Sequence, residues 1–392
     1  MFSLLQEGLV SRVELAKRLS LSNTTITNLT AELLEEKIIT EERMETNEKR
    51  KRVGRPRRML RLIPDARYAI GVHIGIGIFR IAVTNLFAEI VSSRMVNFDL
   101  GTTPEEVLSS IAKNIEGTIE ESGVDHDRVI GIGLGASGLV NYVTGVNVLA
   151  PRLGWKDVPI QSLLEAKLNY PVCVDNNVRS MALGEAFFGA GRGVGSLAFV
   201  YGRVGVGAGF VVGGQVFRGS GAGAGEIGHT IMVPQNGELC SCGNRGCLET
   251  LISEPVLVKQ AGLLAEKNPH GLLAQYLNAE NDSGLMERIF KAAREGDQEV
   301  RSLIEDQACY LGIALANLVN MLNPELILLG GMFAQGHDLI IPVAEARMRE
   351  AAFAGLGDDV QIAATDFGWR AGVIGASSLA LTSFFYQQVG EI

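Results

Sequence analysis

The stretch EIGHTIMVPQNGELCSCGNRGCLE, residues 226–249, decides how the rest of this 392-residue chain is read. It gathers three of the five cysteines into Cys-x-Cys-x4-Cys, with His229 eleven residues ahead of Cys240. One imidazole and three thiolates form a tetrahedral donor set suited to Zn²⁺, and four protein ligands leave no open position for an activated water. The expected ion is therefore structural, held by His229, Cys240, Cys242 and Cys247 and closing a loop where apolar packing is thin. The competing reading is three reduced thiols beside an incidental histidine. Cys173 and Cys309 stand alone in apolar surroundings.

On either side of this loop the text alternates strand-like and helical patterns. YAIGVHIGIGIFRIAVTNLFAEIV (68–91), GIGLGASGLVN (131–141), VCVDNNVRSMALGEAFFGAG (172–191) and LAFVYGRVGVGAGFVVGGQVFRG (197–219) predict an α/β body. Small or polar residues close several of its strands, where ligands of such sheets bind. The 47 glycines fit that need for tight turns and close backbone approaches. A length of 392 residues favours two or three domains. No apolar run is long enough to cross a bilayer and the first residues carry no export signal, so a cytoplasmic, reducing setting is expected, with metal preferred to disulfide.

The formal charge of −9 is unevenly spread: residues 1–63 hold thirteen Lys or Arg against nine Asp or Glu, and the remainder holds twenty-two against thirty-five. A basic head on an acidic body is expected when one domain alone meets DNA. Within that head, Val13, Leu15, Ala16 and Leu19, then Ile26, Leu29, Leu33 and Leu34, recur at helical spacing on either side of Ser20-Leu21-Ser22. Two amphipathic helices joined by a short turn, the second capped by Ser22 or Asn23, predict a helix-turn-helix. Its second helix would present Ser22, Asn23, Thr24, Thr25, Thr27 and Asn28 to a major groove. KRKRVGRPRRMLRL (49–62) then reads as a wing, a hairpin whose tip carries Arg55, Arg57 and Arg58 to phosphates or a minor groove; a solvated linker is the alternative. The helical pattern is already under way at residue 2, so the first helix is expected to lack its opening turns.

The zinc loop, the E-x-G-H before it, the VDNN strand end and the late GIALANLVNMLNPELILLGG (312–331) together resemble the ROK family of repressors and sugar kinases, over nearly the whole chain. That resemblance implies an N-terminal winged helix-turn-helix, residues 1–63, joined to an actin-like, two-lobed sugar-kinase fold. Its first lobe would cover 64–177 and be rejoined by about 370–392; the second, 178–369, would hold the zinc loop and a dimerisation surface. It also implies homodimers or dimers of dimers, so that two heads meet two operator half-sites.

Kinases of the family resemble one another in four places. The first phosphate loop reads D-x-G-G-T, but here residues 73–77 are HIGIG, lacking both carboxylate and hydroxyl. The second reads G-T-G-x-G-x-G, but here residues 203–209 are RVGVGAG, with Val204 in place of the threonine. The third is Asn-Asp ahead of L-G-E, whose Asp takes the proton from the attacking sugar hydroxyl. Here Asn177 holds that position, and an amide can hydrogen-bond a hydroxyl but cannot accept its proton. Asp175, two residues earlier, would by strand alternation share the face of Asn177, a route to rescue. The fourth, Leu329-Gly330-Gly331, remains.

Carried over by position, the family's sugar contacts fall on Asn176, Asn177, Glu226, His229 and Glu249, with further contacts from Ser137, Gly138 and Arg152, the last where kinases often have Asn. Read singly, Glu226 could cap a loop, Glu249 could start an exposed helix, and Trp155 is core as readily as a sugar platform. The expectation is a sugar-responsive repressor with no catalytic residue, binding operator DNA and a monosaccharide such as xylose, glucose or a related aldose. An active ATP-dependent sugar kinase with a DNA-binding head is the alternative; a third is a DNA-binding protein whose body only dimerises.

Overall fold

A computed structural model describes residues 1–43, 58–221, 223–278 and 284–386. Two five-stranded sheets form the body. The first runs, in spatial order, Val172–Asn176, Val129–Ala136, Tyr68–Gly75, Ile78–Asn85, Ile90–Asn97. The second mirrors it as Gln361–Ala364, Leu326–Gly331, Ser196–Gly202, Val206–Val212, Gln215–Phe217. In each, three consecutive strands pair antiparallel through short turns, and two later strands add in parallel beside the first of them. Near-continuous apolar runs such as Tyr68–Gly75, buried at every residue, are what a sheet covered on both faces requires. This paired arrangement is the actin-like fold.

Helices Asn177–Phe188 and Ala371–Ala380 pack on one another between the sheets. They cross at Gly184 and Gly375, where a Cβ on Gly375 would lie 2.6 Å from the backbone nitrogen of Met181. Only glycine permits that approach, which gives the sequence L-G-E a packing role. Helix Gln298–Leu322 packs along His337–Ala351 over the second sheet. Among the described residues no helix is long and apolar enough to cross a membrane.

The first 62 residues contribute helices Phe2–Glu7, Arg12–Arg18 and Asn23–Glu35 and a three-stranded antiparallel sheet ordered Val10–Ser11, Arg58–Leu62, Ile39–Arg43. Ser11 and Glu14 form a reciprocal cap at one helix, and the Ser22 hydroxyl accepts from Thr25 N–H at the next, satisfying amides that a helix start leaves open. The core beneath is thin. Leu15, Ala16 and Ile26 are buried, but Val13, Leu19 and Leu29, expected on the apolar faces, are exposed, because a sheet of three short strands covers only part of each helix.

Leu4, Leu5, Ile39, Leu60 and Leu62 share one continuous core with Leu183 and Phe187 of the body. Phe2 and Phe187 lie with ring centroids 5.1 Å apart, and Arg192 donates to the carbonyls of Leu5 (3.2 Å) and Gln6 (3.3 Å). One helix, Asn177–Phe188, therefore reaches from the ligand cleft at its N-terminus to the head at its C-terminus.

Candidate ligand cleft and metal site

The body holds an open cleft lined by residues of both sheets and of the cysteine loop, the concave setting in which small ligands bind. Ser137, Gly138, Arg152, Asn176, Asn177, Glu226, His229 and Glu249 all line it. The four residues of the cysteine loop converge at its edge: the donor atoms of His229, Cys240, Cys242 and Cys247 lie within 4.8 Å of one another, with His229 Nδ1 3.6 Å from Cys240 Sγ. Three soft sulfurs and an imidazole at that span fit a tetrahedral metal such as zinc. Cys240 and Cys247 are buried, and Cys242 is exposed.

At this end of the cleft the carboxylates are set by the loop. Gly225, at φ +98°, places its α-carbon so close to Ala208 that a Cβ would lie 1.9 Å from its carbonyl oxygen. That approach brings Glu226 to the cleft mouth, open to solvent but crowded by protein; the crowding pushes its carboxyl above the usual range, with His229 and Arg179 opposing. Glu249 does begin a helix, Glu249–Ile252, but it is buried rather than exposed. One of its oxygens accepts from Arg152 at 2.8 Å and the other from Val206 N–H at 3.2 Å. Trp155 is core, at 2% exposure, and does not line the cleft.

The cleft floor corrects one sequence expectation and adds a structural role at another residue. Asp175 is not available as a substitute base: the strand ends at Asn176, alternation stops there, and Asn177 is the first helical residue. The Asp175 carboxylate is buried away from the cleft, 2.8 Å from both Arg179 and Arg218. Removing one partner from such a buried cluster costs about 3–5 kcal/mol, so its role is to hold the helix start. Asn176 lines the cleft and also holds the helix start. Its Oδ1 caps the helix by accepting from the N–H groups of Val178 and Arg179, and its Nδ2 donates to Gly138 O at 2.9 Å.

Asn177 turns its amide into the cleft as a donor, 3.2 Å from Ser137 Oγ and 3.5 Å from His73 Nε2. Burial, then the charges of Arg80 and Arg203, lower His73 to about 3, so its ring is neutral at physiological pH. Arg203 and Tyr201 also line this far end. Tyr201 and Arg80 carried no signal in the sequence, since one polar residue in an apolar strand reads the same wherever the strand lies. Arg80 stands across from His73 in the paired strands, beside the cleft and not in its lining.

In the head, Ser22, Asn23, Thr24, Thr25, Thr27 and Asn28 are all exposed along one helix start. The hydroxyls of Ser22 and Thr25 bond each other, and that of Thr27 donates to Asn23 O, leaving Asn23, Thr24 and Asn28 with side chains unengaged among the described residues. Arg58 is corrected. It is the first residue of a paired strand, not a hairpin tip, and its guanidinium is 2.6 Å from Glu41. Arg55 and Arg57 lie outside the described residues.

An actin-like body with a polar cleft, edged by a histidine and three cysteines, defines the class: a sugar-kinase-like protein carrying an added N-terminal segment. The chain belongs to the ROK family, whose profile spans residues 69–383. It is 30% identical over 381 residues to the xylose repressor of Caldicellulosiruptor bescii, covering 97% of this chain and 94% of that one. A crystal structure of a ROK family transcriptional regulator, a homolog of the E. coli MLC protein, matches with TM-score 0.80 and 29% identity over 95% of this chain and 92% of that one. A ROK family glucokinase from Streptomyces griseus, solved with glucose and AMPPNP, matches with TM-score 0.71 and 29% identity over 80% of this chain and 98% of its own.

Proposed function

We propose that this chain is a sugar-responsive, DNA-binding transcriptional repressor whose kinase-like body binds a monosaccharide without phosphorylating it. The observation that carries the reading is Asn177: the position of the family's base holds a donor amide facing Ser137 and a neutral His73. An amide cannot accept a proton from a sugar hydroxyl, and burial beside Arg80 and Arg203 makes the His73 imidazole a poor base. Glu226, His229 and Glu249, with Ser137, Gly138, Arg152, Asn176 and Asn177, would surround the sugar. His229 would serve twice, one ring nitrogen on the metal and the other toward a hydroxyl, so that occupancy is felt by the loop.

In this reading residues 1–63 are a winged helix-turn-helix, 64–177 with about 370–392 the first lobe, and 178–369 the second. Likeness over 97% of this chain to a xylose repressor and over 95% to a ROK transcriptional regulator supports the repressor reading, since the glucokinase match covers only 80% of it. The ion is structural Zn²⁺, the effector an aldose such as xylose or glucose, and the working form a homodimer or a dimer of dimers. Sugar binding alters the closure of the lobes, and helix Asn177–Phe188 carries the change to the head through Phe187 and Phe2. A coupling of about 1–3 kcal/mol changes operator affinity roughly 5- to 150-fold.

Operator duplexes selected from a random pool, titrated by fluorescence anisotropy at fixed salt with a panel of aldoses, test the proposal. At least one sugar should shift the affinity, and a flat response across the panel would sink it. ATP-dependent turnover in a coupled assay would overturn the claim of a silent body.

A further inference from the structure

Two ion pairs of opposite character tie the two sheets of the body to each other. Arg218, just beyond strand Gln215–Phe217 of the second sheet, places its Nε 2.8 Å from Asp175 Oδ2 in the first and its guanidinium carbon 4.3 Å from the centre of the Tyr142 ring. The Asp175 side chain is 1% exposed and also bonds Arg179, so this tie is permanent, because opening it leaves a buried charge unpaired. Neither Arg218 nor Asp175 lines the cleft.

Arg152 and Glu249 make the other tie, and both line the cleft. Arg152 stands in the turn Pro151–Leu153, whose neighbours Ala150, Leu153 and Trp155 pack in the core of the first sheet. Glu249 follows Leu248, which packs with Ile252 in the core of the second. Their contact is 2.8 Å, yet the Arg152 side chain is 37% exposed and that of Glu249 is 7% exposed. An ion pair with one partner open to water is easily released from that partner's side. The buried carboxylate, by contrast, must keep donors around it.

Glu249 is nearly saturated. Arg152 takes Oε1, the Ser241 hydroxyl reaches the same oxygen at 3.5 Å, and Val206 N–H takes Oε2 at 3.2 Å, against roughly four acceptor directions on a carboxylate. A pair of adjacent sugar hydroxyls needs more than that leaves, so a donor must withdraw. Val206 N–H is fixed in strand Val206–Val212 and Ser241 in the cysteine loop, whereas Arg152 can turn its guanidinium to water while the hydroxyls replace it.

We infer that Arg152 is a gate residue of the sugar site: it straps Glu249 across the cleft, and a sugar binds there by taking Glu249 from it. The competition sets the concentration at which the sensor responds. The inference rests on the sugar ring lying against Glu249, as proposed above; the strap rests on the observed contact.

Isothermal titration of the full chain with uncharged aldoses, glucose and xylose first, tests this in the unaltered protein, Arg152→Met and Arg152→Lys, at about 0.02 and 0.5 M salt. Methionine keeps the reach of the side chain without its charge or donors. An uncharged ligand brings no salt dependence of its own, so affinity in the unaltered protein should rise with salt as screening weakens the competing pair. Arg152→Met should bind the same sugar about two- to fivefold more tightly, the range that a partly exposed ion pair supplies, and should lose the salt effect. Arg152→Lys should keep both the weaker binding and the salt effect. A fall in affinity in Arg152→Met marks Arg152 as a direct ligand of the sugar, and an unchanged affinity marks the pair as idle; either overturns the gate and leaves the sensor reading intact. Affinity in the unaltered protein that is flat or falls with salt overturns the gate in the same way. Silence from every aldose in all three proteins removes the sensor reading, and the gate with it.

Discussion

The two ends of the cleft are built differently. At the zinc-loop end, four metal-binding side chains come from residues 229–247, and the carboxylates of Glu226 and Glu249 flank them in the same stretch. Elsewhere in the cleft, His73 comes from the first sheet, Tyr201 from the second and Arg203 from the turn after it, and they meet only because those sheets face one another. The first end is a local device, set by short loops and ready to bind a metal. The second is a tertiary device, and its chemistry is open to change by single substitutions on separate strands. The departures from the family's kinase motifs, at His73, Val204 and Asn177, therefore concentrate away from the zinc loop, which keeps its set of donors.

The largest effect that tests this contrast is at the metal. Cys247 is fully buried, so Cys247→Ser should abolish stoichiometric zinc, read by elemental analysis, and lower stability by on the order of 4 kcal/mol or more. If the variant keeps its melting temperature, the loop does not depend on a metal and the contrast collapses. Next, Glu249→Gln weakens its contacts to Arg152 and Val206 and to any bound ring. Loss of about 1.5–3 kcal/mol from hydrogen bonds to a charge lowers sugar affinity roughly 10- to 150-fold by calorimetry; an unchanged affinity would remove Glu249 from the sugar site.

A smaller effect sharpens the far end. Asn177→Asp alone should leave ATP turnover undetectable in a coupled assay, because His73 and Val204 still stand where the carboxylate and hydroxyl of the phosphate loops would be. Turnover from this single change would mean that only one group is missing. The smallest effect lies one helix away. Phe2→Ala removes an aromatic pair worth about 1 kcal/mol, so sugar affinity should hold within about twofold while the sugar's effect on operator affinity shrinks. An undiminished effect would exclude this helix as the link between cleft and head.

The cysteine loop, the α/β alternation and the cap at Ser22 were legible because each depends on residues close in sequence. His229 announces its role by its distance from Cys240, and Asn177 by the motif around it. The errors fall where neighbours in sequence part company in space. Asp175 and Asn177 looked alike in register, but a helix begins between them and sends Asp175 to two arginines instead. Asn176, read as a cleft residue, lines the cleft and also caps the helix, a role its motif did not announce. Val13 and Leu29 looked like core, yet a small sheet leaves them exposed.

By itself, then, the sequence determined the donor set of the metal loop, the existence of a separate basic head and the absence of a carboxylate at positions 73 and 177. Those follow from residue identity and short spacing, which chain geometry cannot rearrange. Only the tertiary structure decided that Arg80 stands over His73, that Glu249 is buried against Arg152, and that one helix joins the cleft to Phe2. Those contacts depend on sheet register and on helix crossing at Gly184 and Gly375, and both emerge only when distant strands and helices pack.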